Sequence, residues 1–295
     1  MLSAIPREQT RARRPDRTGH VERDGVRLFY EVYGSEGPAV FLLPTWSIIH
    51  SRHWKLQIPY LARHFRVLTF DGRGSGRSDR PASGYYEREF AADALAVMDA
   101  TSTHTAVLVS LSLGARWALM LAADHPERVA GAVFIAPSAP LGKTLASQQP
   151  YLWDRELRTD KGWARYNRYY WLRDYQGFLE FFFAQMFPEP HSTKQIEDCV
   201  GWGLETTPEI LIATEIEKEF DEQATRGLCR RVRCPVLVIH GADDLVSSPS
   251  RGIALAEATR GELVLLEGSG HGPHVRDPVK VNLLLRDFMG RLGGK

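Results

Sequence analysis

The chain has 295 residues, which is enough for one large α/β domain or for a core domain that carries an inserted subdomain. Its 37 basic and 36 acidic side chains give a formal net charge of +1. The overall charge therefore favours neither nucleic acid nor an anionic membrane surface as a partner.

The first 20 residues form a basic segment with few apolar side chains. Its arginines are Arg7, Arg11, Arg13, Arg14 and Arg17. Because such a segment has little apolar surface to bury, we expect residues 1 to 20 to form a disordered basic arm, a solvated tail rather than a docking segment. No apolar region follows it as in a signal peptide, and no apolar run is long enough to span a bilayer, so we expect a cytoplasmic protein.

The cysteines give no sign of a disulfide framework or a structural zinc site. Cys199, Cys229 and Cys234 are odd in number and have no CxxC spacing. We expect them to be buried as small apolar residues, and we expect no metal and no cofactor.

The first part of the chain alternates strand-like and helical segments. Apolar and polar residues alternate over residues 26 to 33, which predicts a half-buried strand. Apolar runs over residues 39 to 43 and 66 to 70 predict strands covered on both faces, and a helix is predicted between them over residues 54 to 65. Residues 71 to 81, DGRGSGRSDRP, contain too many glycines for anything except a tight loop.

The alternation continues, with one interruption, to the end of the chain. The predicted elements are a helix marked by Phe90, Ala94, Val97 and Met98, strands over residues 129 to 136, 234 to 240 and 263 to 266, and helices over residues 250 to 259 and 281 to 288. Continuous apolar strands that alternate with helices predict an α/β fold, a mainly parallel sheet with helices on both faces. We expect a core formed by residues 21 to 140 and 232 to 295, with a helical insertion over residues 141 to 231.

Residues 106 to 119, AVLVSLSLGARWAL, run a predicted strand directly into a predicted helix. A serine at the apex of such a turn needs small residues two positions before and after it, because backbone segments pass closely there. Ser112 has Ser110 and Gly114 at these positions, whereas Ser110 as the nucleophile would place Leu108 in the crowded turn. We therefore predict that Ser112 is a nucleophile. The alternative is ordinary packing of small residues between a strand and a helix.

A serine nucleophile needs a base to accept its proton and a carboxylate to orient that base. In a parallel sheet these groups lie just beyond the carboxyl ends of strands. Two aspartates and two histidines follow predicted strands in this way: Asp243, Asp244, His271 and His274. We favour Asp244 over Asp243 as the acid and His271, which lies between two glycines, over His274 as the base. No carboxylate or cysteine cluster completes a metal site at the two histidines.

Four motifs together resemble the α/β-hydrolase fold. They are the turn at Ser112, the loop over residues 71 to 81, HGADD at residues 240 to 244 and GSGHGPHVRDP at residues 268 to 278. The resemblance extends from about residue 21 to residue 292. It implies that the helical insertion is a cap over the site and that Ser112, Asp244 and His271 form the catalytic triad.

The same resemblance implies an oxyanion hole made by the backbone N–H groups of Trp46 and Leu113. The family usually has His-Gly where this chain has Pro44 and Thr45, so Thr45 either donates an extra hydrogen bond or obstructs the hole. The insertion is rich in aromatic residues, which suggests an apolar pocket roof, although each residue taken singly belongs more often to the cap's own core. The predicted pocket residues are Thr45, Trp171, Phe182 and His274.

The leading hypothesis is a serine hydrolase that cleaves an ester, lactone or thioester of a small, largely apolar substrate through an acyl-enzyme on Ser112. The alternatives on the same triad are acyl transfer, C–C bond hydrolysis and lyase chemistry. A different class of protein, a ligand-binding or regulatory member of this fold without turnover, also fits the altered residue Thr45. The expected partner is a small molecule, with no nucleic acid and no membrane span.

Overall fold

An eight-stranded sheet forms the centre of the computed structural model, which describes residues 11–148, 153–216 and 221–292. The strands are β1 (Arg17–Arg23), β2 (Val26–Tyr33), β3 (Ala39–Leu42), β4 (Arg66–Phe70), β5 (Ala106–Leu111), β6 (Val129–Ile135), β7 (Val236–Gly241) and β8 (Glu262–Leu266). Their order across the sheet is β1-β2-β4-β3-β5-β6-β7-β8. β2 pairs antiparallel with both β1 and β4, and every other neighbouring pair is parallel. The predicted, mainly parallel sheet is confirmed.

Helices cover both faces of this sheet. They are α1 (Ile58–Leu61), α2 (Glu87–Ala100), α3 (Gly114–Asp124), α4 (Arg168–Arg173), α5 (Tyr175–Met186), α6 (Thr193–Gly203), α7 (Pro208–Ile216), α8 (Glu222–Arg231), α9 (Pro249–Thr259), α10 (Pro273–Arg276) and α11 (Pro278–Leu292). Successive strand residues point to opposite faces, and both sets are apolar. In β3, for example, Val40 and Leu42 pack into one core and Phe41 into the other.

The two cores differ in what covers them. The core that contains Val40 lies beneath α1, α11 and the inserted helices, which contribute a continuous group of buried aromatic side chains. The core that contains Phe41 lies beneath α2, α3 and α9 together with α8. Within the described part of the expected insertion, α8 packs against α3 in the core layer, whereas residues 153–216, with α4 to α7, contribute side chains to the other core; we call residues 153–216 the cap.

Two further expectations about local structure are wrong. Residues 17 to 20 lie in β1, paired with β2, and not in a disordered arm; the Arg11 guanidinium also binds the buried Glu31 at 2.5 Å. Residues 1 to 10 lie outside the described residues.

The helix expected over residues 54 to 65 is a short 3-10 helix, Ser51–Trp54, followed by α1, because Pro59 fits only the first turn of a helix.

Within the described ranges, no helix combines the length and the apolar composition that crossing a bilayer requires.

Candidate active site

Ser112 occupies a strained turn between β5 and α3. Its φ is 52°, in the left-handed region that residues with a Cβ rarely adopt. The turn is held on both sides, because the Ser112 N–H donates to the Ile135 carbonyl at 3.0 Å and the Ser112 carbonyl accepts from the Ser138 N–H at 3.0 Å. The backbone is therefore fixed in a conformation that turns the Ser112 side chain into a cavity, which it lines.

The two small neighbours of Ser112 are needed for close packing. A Cβ added to Gly114 would lie 2.7 Å from the Pro44 carbonyl oxygen, so even alanine would force this segment apart. Ser110 is fully buried, and its Oγ donates to the Val133 carbonyl at 3.2 Å. Of the two serines weighed from the sequence, Ser112 is thus the one that faces the cavity.

Two backbone N–H groups belong to residues that line the cavity together with Ser112. Trp46 and Leu113 both line it, and in the described part of the chain no hydrogen bond engages the N–H of either residue. Thr45 is buried, and its Oγ1 donates to the Leu111 carbonyl at 2.9 Å. The hydroxyl of Thr45 therefore points at the protein backbone and does not line the cavity, in contrast to the expectation of a pocket residue.

Asp244 and His271 form a buried hydrogen-bonded pair beyond the ends of β7 and β8. His271 Nδ1 donates to Asp244 Oδ2 at 2.7 Å, and His240 Nε2 lies 3.0 Å from the same oxygen. The other oxygen, Oδ1, accepts from the N–H groups of Val246 and Ser247 at 2.7 and 2.8 Å. Asp243 is exposed, so the carboxylate beside the histidine is that of Asp244.

The surroundings of Asp244 keep it ionised. Burial alone would raise the pKa of Asp244, but the charge of His271, with hydrogen bonds from His240 and His271, outweighs burial and moves the pKa below its usual range. A carboxylate held in this state fixes the His271 tautomer with its proton on Nδ1 and leaves Nε2 free to act as a base.

The structure brings Asp244 and His271 into contact, and it places Ser112 beyond the end of β5 in the same sheet. His271 itself is buried and does not line the cavity. Within the described residues, no hydrogen bond joins its ring to Ser112 Oγ. Serine–histidine hydrogen bonds are often long without a substrate and shorten when one binds.

The cavity beside Ser112 has a volume of about 330 Å³ and a mixed lining. Its walls are formed by Trp46, Ser112, Leu113, Arg116, Ser138, Gln148, Trp153, Trp163, Tyr166, Phe182, Glu215, Val246 and Arg251. Of the four predicted pocket residues, only Phe182 belongs to this set. Trp171 is fully buried in the aromatic core of the cap. His274 is also fully buried, where its Nε2 lies 3.1 Å from His53 Nδ1.

Three charged residues of the cavity were missed by reasoning from the sequence. Arg116 lies on α3, Arg251 on α9 and Glu215 on the cap helix α7. Charged side chains on amphipathic helices usually face water, so their sequence positions carry no signal of a site. The lining is consequently more polar than the apolar pocket predicted from the aromatic residues alone.

Trp46 joins the loop after β3 to the cap. Its indole Nε1 donates to Thr214 Oγ1 of α7 at 2.7 Å, and its ring lies 5.5 to 6.4 Å from the rings of Tyr166, Trp171, Phe178 and Phe182. The roof of the cavity and the loop that carries the Trp46 N–H thus form one packed unit.

Comparisons with known proteins agree with this architecture. A 2-hydroxymuconate semialdehyde hydrolase from Pseudomonas sp. (strain CF600) is 30% identical over 280 residues, which cover 88% of this chain and 85% of that protein. The solved structure of an esterase from Rhodococcus sp. ECU1013 matches with a TM-score of 0.77 and 27% identity, covering 94% of this chain and 99% of its own. The structure of an enzyme described as degrading N-acyl homoserine lactones matches with a TM-score of 0.76 and 28% identity, covering 92% and 100%.

The family model described as the alpha/beta hydrolase fold matches residues 38–278, a range that includes the Ser112 turn, the cap, Asp244 and His271. With the sheet order, the cap and these matches in agreement, the chain belongs to the alpha/beta hydrolase fold family.

Proposed function

We propose that this protein is a serine hydrolase that cleaves an ester, lactone or thioester through an acyl-enzyme on Ser112. The observation that carries the proposal is the backbone of Ser112, a non-glycine residue held at a φ of 52° with its side chain at the wall of a cavity. Strain of this kind persists only where surrounding contacts impose it, and it is concentrated at functional sites. The buried pair of Asp244 and His271 supplies the partners that a serine nucleophile needs.

In this proposal the reaction proceeds in two halves. Ser112 Oγ attacks the substrate carbonyl while His271 Nε2 accepts its proton, and the N–H groups of Trp46 and Leu113 stabilise the oxyanion. His271 then returns the proton to the departing alcohol or thiol, which leaves the acyl group on Ser112. Water attacks this acyl-enzyme with His271 again as base, and collapse of the second tetrahedral intermediate releases the acid.

The size and lining of the cavity support a small substrate. About 330 Å³ lies at the lower end of the range for ligand pockets, and aromatic residues of the cap form much of its wall. The structural neighbours named above include an esterase and a lactone-degrading enzyme, which is consistent with esters and lactones as the first substrates to test.

Labelling with a fluorophosphonate probe, with mass spectrometry to locate the adduct, tests this proposal. We expect one adduct on Ser112 in the wild type and none in Ser112→Ala. Ester hydrolysis in that variant should fall at least about a thousandfold, because the nucleophile is lost while the fold remains. Ser110→Ala is the matched control, since Ser110 is buried two residues away, and it should still be labelled. Labelling of Ser112→Ala at the wild-type level would contradict the assignment.

Acyl transfer, C–C bond hydrolysis and lyase chemistry remain alternatives on the same residues. The relative from Pseudomonas, a hydrolase of a semialdehyde, is the observation that favours examining C–C bond hydrolysis first. Single-turnover mass spectrometry separates lyase chemistry, which leaves Ser112 unmodified, from hydrolysis and acyl transfer, which both pass through an acyl group on Ser112. A ligand-binding protein would be stabilised by a small molecule that it never consumes.

A further inference from the structure

Arg251 is a partly buried cation on the wall of the cavity beside Ser112. It lies in the first turn of α9. Its Nη1 donates to Ser138 Oγ at 3.3 Å, and its Nε is buried without a hydrogen-bond partner. Among the described residues, no carboxylate forms an ion pair with it. A guanidinium that has no negative partner and whose Nε is buried without a hydrogen bond is unfavourable in the empty protein, and a bound anion would offset this cost.

Arg116 and Asp244 are the charged groups that influence Arg251, and neither of them neutralises it. Arg116, which lines the same cavity, is itself paired with the buried Glu87 at 2.7 Å and adds a second positive charge. Both oxygens of Asp244 are already occupied by His271, His240 and two backbone N–H groups. Burial and the charge of Arg116 lower the pKa of Arg251, while Asp244 acts in the opposite direction.

The cap also contributes a carboxylate, that of Glu215, to the cavity lining. Glu215 belongs to α7 and hydrogen-bonds the buried phenol of Tyr166, whose pKa is raised well above its usual value by burial and by this carboxylate. The cavity therefore has two arginines on its core wall and one glutamate on its cap wall. An anionic group entering it is attracted to the core wall, where Ser112 lies.

Hydrogen bonds link Arg251 to the turn that carries the nucleophile. Ser138 connects them, since its N–H donates to the Ser112 carbonyl at 3.0 Å and its Oγ accepts from Arg251. Ser112 and Arg251 also line the same cavity of about 330 Å³, so a small substrate that fills the cavity contacts both residues.

We propose that Arg251 binds a carboxylate of the substrate, so that this enzyme acts preferentially on small esters or lactones whose acyl part ends in a carboxylate. Planar guanidinium groups match carboxylates in shape and charge and bind them through paired hydrogen bonds. Nη1 has only a long bond to Ser138, and within the described residues no hydrogen bond engages Nη2, so these two groups are the donors for this contact. The choice of ester as the reacting group rests on the function proposed above, whereas anion binding does not.

Two chromogenic esters of equal chain length test the proposal. 4-Nitrophenyl pentanoate ends in a methyl group, and mono-4-nitrophenyl glutarate ends in a carboxylate. We measure kcat/KM for both and compare their ratio in the wild type and in variants. Arg251→Gln should lower the ratio of glutarate to pentanoate ester at least about tenfold, chiefly through KM, because a charged hydrogen bond is lost. Arg251→Lys should retain part of the preference.

Arg226→Gln is the matched control, since Arg226 is an exposed arginine on α8 that is paired with Glu222 and does not line the cavity. It removes the same charge and should leave the ratio unchanged. A ratio in Arg251→Gln within about twofold of wild type, in an enzyme whose Ser112 still reacts with the fluorophosphonate, would overturn the carboxylate assignment and leave the hydrolase assignment intact.

Calorimetric titration with glutarate, and with glutaramide as its neutral counterpart, tests anion binding without turnover. We expect the wild type to bind glutarate more tightly than glutaramide and Arg251→Gln to lose this difference. If Ser112 proves unreactive while glutarate still binds through Arg251, the proposed hydrolase function fails and the anion site stands. If the wild type does not distinguish glutarate from glutaramide, the anion site is wrong.

Discussion

Thr45 and Asp244 are buried polar residues close to the cavity. The hydrogen-bonding groups of these two residues have partners in the protein, whereas Arg251 has a group without one. The hydroxyl of Thr45 donates to the Leu111 carbonyl, and Asp244 accepts four hydrogen bonds. Groups with partners hold the site in shape, whereas groups without partners are available to a substrate. In the function proposed above, the N–H groups of Trp46 and Leu113, with Arg251, are therefore the groups that contact the substrate.

Replacement of Thr45 tests the structural side of this distinction. Thr45→Val keeps the shape of the side chain but removes the hydrogen bond to Leu111, so the free energy of unfolding should fall by about 1 kcal/mol. Thr45→Ser keeps the hydroxyl and should lose less. Urea unfolding of the two variants measures the difference. A rise in the rate of labelling at Ser112 in Thr45→Val, with stability unchanged, would instead indicate that Thr45 obstructs the oxyanion hole.

At the level of elements, the loop after β3 is joined beside the cavity to the cap helix α7. The Trp46 indole donates to Thr214 at 2.7 Å, and both side chains are buried. Aromatic rings of the cap surround the same tryptophan. Opening of the cap would expose this hydrogen bond and this apolar surface together, so the contact favours the closed state.

Thr214→Val should loosen the cap. The substitution preserves the volume of the side chain but leaves the buried indole Nε1–H of Trp46 without an acceptor, which costs about 1 to 3 kcal/mol in the closed state. Hydrogen–deuterium exchange in α7 should become at least about fivefold faster, since 1.4 kcal/mol corresponds to a factor of ten and 1 kcal/mol to about five. Thr214→Ser keeps the acceptor and should exchange like the wild type. Unchanged exchange in Thr214→Val would mean that aromatic packing alone holds the cap.

Much of the core could be predicted from the sequence, because buried parallel strands require continuous apolar runs such as those of β3 and β5. The α/β-hydrolase motifs could also be identified, and they indicated Ser112, Asp244 and His271. The inner boundary of the cap could not be predicted, because the periodicity of α8 shows that it is amphipathic but not which neighbour it packs against. Arg251 has no sequence signal for the same reason, since its role depends on burial by distant segments.

At the level of the whole molecule, a second group of buried ionisable residues lies outside the cavity lining. His53 and His274 are almost completely buried, and His53 Nδ1 lies 3.1 Å from His274 Nε2. Burial and the charge of His271 lower the pKa of His274 to about 3, and burial with the charges of His274 and His50 places the pKa of His53 well below its usual value. The other ionisable groups that influence the pKa values of this pair are thus histidines, and a positive charge on them disfavours protonation of His53 and His274.

This pair should make the protein less stable in mild acid. In the unfolded chain His274 takes up a proton below about pH 6.5, whereas in the folded protein it does so only near pH 3. Between these values the unfolded state binds more protons, so the free energy of unfolding should decrease as the pH falls, by about 1.4 kcal/mol per pH unit for one such histidine. Urea unfolding between pH 5 and pH 8 should show this slope below pH 6.5 and little slope above it.

His274→Gln should reduce the slope, and His104→Gln, at an exposed position, is the control that should not. An equal slope in wild type and His274→Gln would show that His274 is not held neutral in the folded protein.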